Sequence, residues 1–182
     1  MRILAISGSL QSRGTITTLV RAIAALAPEG MDFIIYDGLG DLPHFSPDRD
    51  GDPPPAPVAA FRGLLRDADG VLICTPEYAY GMPGSLKNAL DWIVSSGEFV
   101  NMPVAALSAS PYPTGGERAH ASLMLTLTAL TASVADGAAL SIPLVRTKMD
   151  ASGAVSDPAT AEAIRSVLDA LARAITAHRE EG

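Results

Sequence analysis

The stretch that decides the fold is GVLICTPEYAYGMPGSLKNALDW, residues 70–92. Its first six residues are a near-continuous apolar run of strand length, the pattern of a strand buried on both faces. A stiff polar loop follows, with Pro76 and Pro83 restricting the backbone and Gly81 and Gly84 able to take unusual torsions. From Gly84 the apolar residues Leu86, Leu90 and Ile93 recur at helical spacing, with Ala89 and Trp92 beside them. Strand, loop and helix in this order are the start of a βαβ unit.

Working outward, the same alternation fills the chain. Strands are predicted at residues 2–7, 31–36, 70–75, 103–108 and 134–142. Helices are predicted at residues 17–27, 58–67, 84–96, 118–132 and 158–178, the last with Asp157 as N-cap and Pro158 in its first turn. Residues 37–57, rich in Pro, Gly and Asp, read as a surface loop, and residues 143–157 as a loop with a small turn at Ser152–Gly153. Buried strands separated by helices imply a parallel sheet covered on both faces. Right-handed crossovers then point to a doubly wound α/β fold of order 2-1-3-4-5, in one domain spanning residues 1–182.

Such a sheet binds ligands beyond the carboxyl ends of its strands, at the switch between strands 1 and 3. The three distinctive loops all follow strands: residues 7–17, 75–84 and 109–116. The first, SGSLQSRGTIT, offers hydroxyls, two glycines and a helix start, which suits a phosphate; capping of the helix is the plain alternative. It is neither a Walker loop nor a Gly-x-Gly-x-x-Gly turn. The second presents backbone N–H and C=O groups in fixed directions, suited to the edge of a heteroaromatic ring, with Tyr78 or Tyr80 beside it. Its lone Glu77 reads as structural or solvated rather than catalytic. In the third, SPYPTGG, Gly115 and Gly116 permit close approach before the next helix.

Composition narrows the function. The net charge of −7 argues against nucleic-acid or anionic-membrane partners. The one cysteine, Cys74, lies within a strand and reads as core. The opening MRILAISGS is too short for a leader, no run approaches a membrane span, and a cytoplasmic location is expected. His44, His120 and His178 form no triad or metal spacing. Trp92 is expected to pack, in the core or at a subunit interface, and Lys87 to pair with Asp91 along the helix.

ISGSL at residues 6–10, TPEYAYGMPGSLKNALDW at 75–92 and SPYPTGGERA at 110–119 resemble the NAD(P)H-dependent FMN reductases. This flavodoxin-like group includes chromate-reducing quinone reductases and azoreductases. The resemblance implies noncovalent FMN, with Ser9, Gln11, Thr15, Ile16 and Thr17 around the phosphate. It sets Pro76, Glu77, Tyr78 and Ala79 along the isoalloxazine edge, with Gly81 shaping their loop. Ser110, Gly115 and Gly116 complete the pocket. It also implies a homodimer or homotetramer. Four positions depart from the family pattern: Gln11 stands for the usual Arg, Ile16 for Asn, Ala79 for Asn, and Gly14 for a frequent Ser. Losing the arginine removes a charge-assisted phosphate contact, for which neighbouring Arg13 is the candidate replacement.

The implied activity is electron transfer from NAD(P)H through bound FMN to a quinone, azo compound, similar acceptor or free flavin. The flavin carries the chemistry, so no catalytic side chain is assigned. Arg13 and Arg118 are the candidates for reading an NADP phosphate, each also explicable as surface charge. Two other readings stay open: a flavin-binding electron carrier without nicotinamide turnover, and a non-catalytic module for another phosphate-bearing ligand.

Overall fold

The computed structural model describes residues 1–181. Five strands form one all-parallel sheet: β1 Arg2–Ser7, β2 Asp32–Tyr36, β3 Gly70–Thr75, β4 Val104–Ala109 and β5 Ala139–Ile142. Their spatial order is β2-β1-β3-β4-β5, as the sequence implies. The register brings Ser7 beside Cys74 and Thr75 beside Ser108, so the three strands end together. Helices α1 Thr15–Ala25, α2 Ala56–Arg66, α3 Gly84–Asp91, α4 Glu117–Ala129 and α5 Pro158–Glu181 cover the two faces.

Strand side chains alternate between faces, and the core divides accordingly. Ile3, Ala5, Leu72, Cys74, Ala105 and Leu107 meet α1 and α5 on one face. Leu4, Ile6, Val71, Ile73, Val104 and Ala106 meet α2, α3 and α4 on the other. Helix α5 contributes Ile164, Val167, Leu168, Leu171 and Ile175, one stripe at helical spacing. Asp157 caps this helix, its carboxylate accepting the Thr160 N–H at 2.9 Å. Cys74 is buried, and burial alone pushes its thiol pKa up to about 12.

Several expectations need correction, among them helix α3, which ends at Asp91 and not at residue 96. Residues 37–57 run over the surface as expected, but they are pinned to the core. They contain two short 3-10 turns, Gly38–Gly40 and Pro47–Arg49, and bury Leu39 and Leu42. The Pro43 carbonyl accepts from Trp92 Nε1 (2.7 Å) and Asn88 Nδ2 (3.0 Å), and Asp50 meets Arg62 at 2.7 Å with both side chains about 90% buried. Trp92 is therefore a core residue, edge-on to Phe45 of the same loop. Strand β5 is shorter than residues 134–142, because a turn closed by Ala138 N–H to Ala135 C=O interrupts the run. Helix α1 begins at Thr15, two residues early, since Gly14 takes an extended N-cap torsion.

Candidate active site

Four segments beyond the strand ends enclose one cleft of about 710 Å³. The β1–α1 segment supplies Ser9, Gln11, Thr15 and Ile16. The β3–α3 segment supplies Pro76, Glu77, Tyr78, Ala79 and Tyr80. The β4–α4 segment supplies Ala109, Ser110, Pro111, Tyr112 and Thr114, with Glu117 and Arg118 from the start of α4. The turn after β5 adds Val145 and Arg146.

The first wall is an uncapped helix end. No side chain caps α1, and its first turn holds no acidic residue. Among the described residues, the amides of Thr15, Ile16 and Thr17 have no protein acceptor. Such orphan donors, with the positive end of the helix dipole, suit an anion. The preceding loop is pinned from within. Thr17 is buried; its hydroxyl donates to the Gln11 carbonyl at 2.9 Å and lies 2.9 Å from Ser7 Oγ. Thr17 thus shapes the loop from behind and does not line the cleft. Gln11 folds over Gly14: a Cβ there would stand 2.8 Å from Gln11 Cβ and 2.9 Å from Gln11 Oε1. Gln11 and Gly14 therefore fit each other. Ile16 is buried at the cleft floor and belongs to the core.

The second wall is a tight two-residue turn. Tyr78 and Gly81 exchange both backbone bonds, Tyr78 N–H to Gly81 C=O at 3.0 Å and the reverse at 3.1 Å. The central residues Ala79 and Tyr80 both sit at positive φ, 48° and 64°. This is the type I′ arrangement, which loads the unusual torsions onto the central pair. The expectation that Gly81 carries them is corrected: it is not at positive φ, a Cβ on it meets nothing, and it does not line the cleft.

The third wall is tied to the second by Glu77. Its Oε2 accepts the N–H groups of Arg118 (2.9 Å) and Ala119 (3.1 Å), capping α4 from 41 residues upstream. The lone glutamate is a structural clasp, and its negative charge sits at the favourable end of the α4 dipole. Gly115 and Gly116, at φ 65° and 80°, make the turn into α4. A Cβ on Gly115 would lie 3.2 Å from the Pro143 nitrogen, so this pair lets the loop lie on the β5 turn. Both glycines support the wall from behind. Ser110, which lines the cleft, accepts the Tyr112 N–H on Oγ at 3.2 Å.

Nine of the thirteen expected site residues thus line the cleft; Thr17, Gly81, Gly115 and Gly116 shape it from outside. Tyr80 and Arg118, which the sequence offered as a ring neighbour and a phosphate reader, also line the cleft, whereas sequence reasoning missed Tyr112 and Arg146. Arg118 lies over the Tyr80 ring, 4.5 Å from its centroid, at the cleft rim. Arg146 comes from a segment read only as a loop. Among the described residues, no cluster of His, Cys, Asp and Glu is arranged to hold a metal ion, and no helix is long and apolar enough to cross a membrane.

A cleft at the switch point of a 2-1-3-4-5 sheet, with an open helix N-terminus, agrees with the family profile that matches residues 1–146, NADPH-dependent FMN reductase. The chain belongs to this family. It is 34% identical to an NAD(P)H-dependent FMN reductase of Pseudomonas aeruginosa, over 94% of this chain and 93% of that one. It is 30% identical to a quinone reductase of Escherichia coli, over 99% and 94%. Its fold matches FerB, a flavoenzyme NAD(P)H:(acceptor) oxidoreductase from Paracoccus denitrificans, with a TM-score of 0.83 and 27% identity over 97% of this chain and 98% of that one. Family membership makes the protein an oxidoreductase with FMN as cofactor and NAD(P)H as co-substrate, and it disfavours the carrier and binding-module readings. The residues fit the cofactor: the free amides of α1 suit its phosphate, and the rigid second wall suits a planar ring.

Proposed function

We propose that the cleft holds FMN and that the protein passes electrons from NAD(P)H to a quinone. The observation that carries this is the union, in one cleft, of an uncapped helix N-terminus and a torsionally fixed backbone wall. Ser9, Gln11, Thr15 and Ile16 hold the phosphate end, with Thr17 fixing their loop. Pro76, Glu77, Tyr78 and Ala79 border the ring, with Gly81 closing their turn. Ser110 closes the far side on the Gly115–Gly116 turn.

When bound, FMN supplies hydride acceptance from nicotinamide and electron delivery to the acceptor. The chain's own work is to orient both partners and to place backbone dipoles near developing negative charge. Tyr78, Tyr80 and Tyr112, all exposed at the rim, offer stacking surfaces for a planar acceptor. The quinone assignment draws on the name of the E. coli relative.

The reading extends to one flavin-binding domain across residues 1–182, acting in the cytoplasm, where its single buried thiol needs no partner. It further includes a homodimer or homotetramer, joined near the end of α3, where Val94 and Val100 are exposed. Fluorescence titration with FMN, followed by anaerobic mixing with NADPH or NADH and then a benzoquinone, tests the activity. Tight FMN binding, bleaching by reduced nicotinamide and recovery with quinone are expected. A protein that leaves FMN fluorescence unquenched would overturn the proposal.

A further inference from the structure

We infer that Arg146, on the turn after β5, supplies the cationic contact to the cofactor phosphate that Gln11 cannot make. This rests on the reading that FMN occupies the cleft. The first loop lines the cleft with the neutral Gln11 and with no cation, and its one arginine, Arg13, is not part of the cleft lining. Arg13 instead borders a second, shallower hollow, which it shares with Thr15, Thr18 and Arg146. Among the described residues Arg146 is the one cation that borders both hollows, which also share Thr15, the first residue of α1.

The backbone of this segment is fixed against the cradle. Val145 is buried, and its N–H donates to the Ser110 carbonyl at 3.0 Å. The 3-10 turn Val145–Thr147 is closed by Thr147 N–H to Leu144 C=O at 2.9 Å. Further along, Gly153 lies so close to α1 that a Cβ on it would come within 2.5 Å of Thr18 Cγ2. The segment thus runs along the first turns of α1, and its one arginine lies at the helix's open end.

Arg13 has no partner among the described residues either, but it does not border the cleft, and the other nearby cations are engaged. Arg21 donates to the Ser12 carbonyl, Arg118 covers Tyr80, and Lys148 reaches Thr160 and Asp157. Arg146 has no hydrogen bond or ion pair among the described residues, and it is exposed. The acid bordering the second hollow, Asp150, accepts on Oδ1 from the Ser152 hydroxyl and from the Ser152 and Ala154 amides. A guanidinium fork that is free and backed by a fixed turn suits a phosphate monoester bidentately.

The test is fluorescence titration of wild type, Arg146→Gln, Arg146→Lys and Arg13→Gln with FMN and, separately, riboflavin. Removing a charge-assisted contact predicts about a tenfold or greater loss of FMN affinity in Arg146→Gln. Riboflavin affinity stays unchanged, Arg146→Lys recovers part of the loss, and Arg13→Gln changes FMN binding by less than about threefold. Raising salt weakens FMN binding less in Arg146→Gln than in wild type. Because Arg146 is exposed, melting temperatures should agree among the variants. If wild type prefers FMN to riboflavin and Arg146→Gln keeps that preference, the inference fails while the cofactor assignment stands. Unchanged FMN binding with a raised KM for NADPH likewise overturns it. If wild type binds neither flavin, or both equally, the cofactor-phosphate reading itself falls.

Discussion

Replacing Glu77 by Ala separates a structural clasp from a proton carrier. The carboxylate accepts two backbone N–H groups at the start of α4, at 2.9 and 3.1 Å. Loss of a cap costs about 1–2 kcal/mol, and a carboxylate near a helix N-terminus adds about 0.3–1 kcal/mol through the dipole. The Arg118 amide is exposed and regains water, so the sum stays near 2 kcal/mol. In a chain of this length each kcal/mol shifts Tm by about 2–4 °C, so Glu77→Ala should melt about 4–8 °C lower. Glu77→Gln keeps an acceptor oxygen but loses the charge, and should fall between. Since the clasp joins two walls of the cleft, the rise in Tm on adding FMN should shrink in Glu77→Ala. Differential scanning calorimetry, with and without FMN, measures both. Wild-type melting in Glu77→Ala would refute the clasp. Wild-type melting in Glu77→Gln with a hundredfold loss of turnover would instead show general acid–base catalysis, whose removal costs about that much.

Three other substitutions or treatments follow from the same geometry. Ala79 holds φ 48°, a torsion that Asn tolerates better, so Ala79→Asn should raise stability by about 0.5–1 kcal/mol in thermal melts; a drop would count against the turn. Cys74 is buried with its thiol raised to about 12, so a thiol-specific disulfide reagent at pH 8 should label it only after denaturation. Rapid labelling of the native protein would refute its placement. Asp50 is held below its ordinary 3.8 by the Ser95 hydroxyl and then by Arg62, so its stabilisation is present above that value and is lost as pH falls through the folded pKa. Asp50→Asn should cost about 3 kcal/mol in urea unfolding at neutral pH and flatten the acid side of the stability profile; an unaltered acid slope would refute the pairing.

The central strands β1, β3 and β4 were legible because burial on both faces writes itself as unbroken apolar runs, whereas the partly exposed edge strands β2 and β5 carry a weaker signal, and the bounds of β5 were accordingly misread. The three loops were legible because Gly, Pro and hydroxyl residues cluster after strands. What escaped the sequence depends on distance along the chain. Nothing near Glu77 signals that its partners are the amides of residues 118 and 119. The left-handed torsions fall on Ala79 and Tyr80, and not on Gly81, because the Tyr78–Gly81 pairing dictates the turn type and overrides local preference. The docking of residues 37–57 had one usable signal, the apolar Leu39, Leu42 and Phe45 in an otherwise polar stretch. Its anchor, the Pro43 carbonyl, is backbone and therefore invisible to side-chain pattern.

Electrostatics reconciles an acidic protein with anionic ligands. The chain carries a net charge of −7, so its general field repels FMN and reduced nicotinamide dinucleotides alike. The charged groups lining the cleft are Glu77, Glu117, Arg118 and Arg146. Both glutamates sit at the N-terminal end of α4, where the helix dipole offsets their charge, and Glu77 also receives two amide donors. No dipole offsets the arginines in this way. With the free amides of α1, they give the cleft a local potential opposite in sign to that of the whole molecule. At physiological ionic strength charges more than about 8 Å apart are largely screened, so the local groups outweigh the distant acidic surface once a ligand reaches the rim. Under the proposed function, recognition of a phosphorylated planar ligand rests on a few fixed donors at one edge of the sheet, and the acidic remainder of the surface places no bar on it.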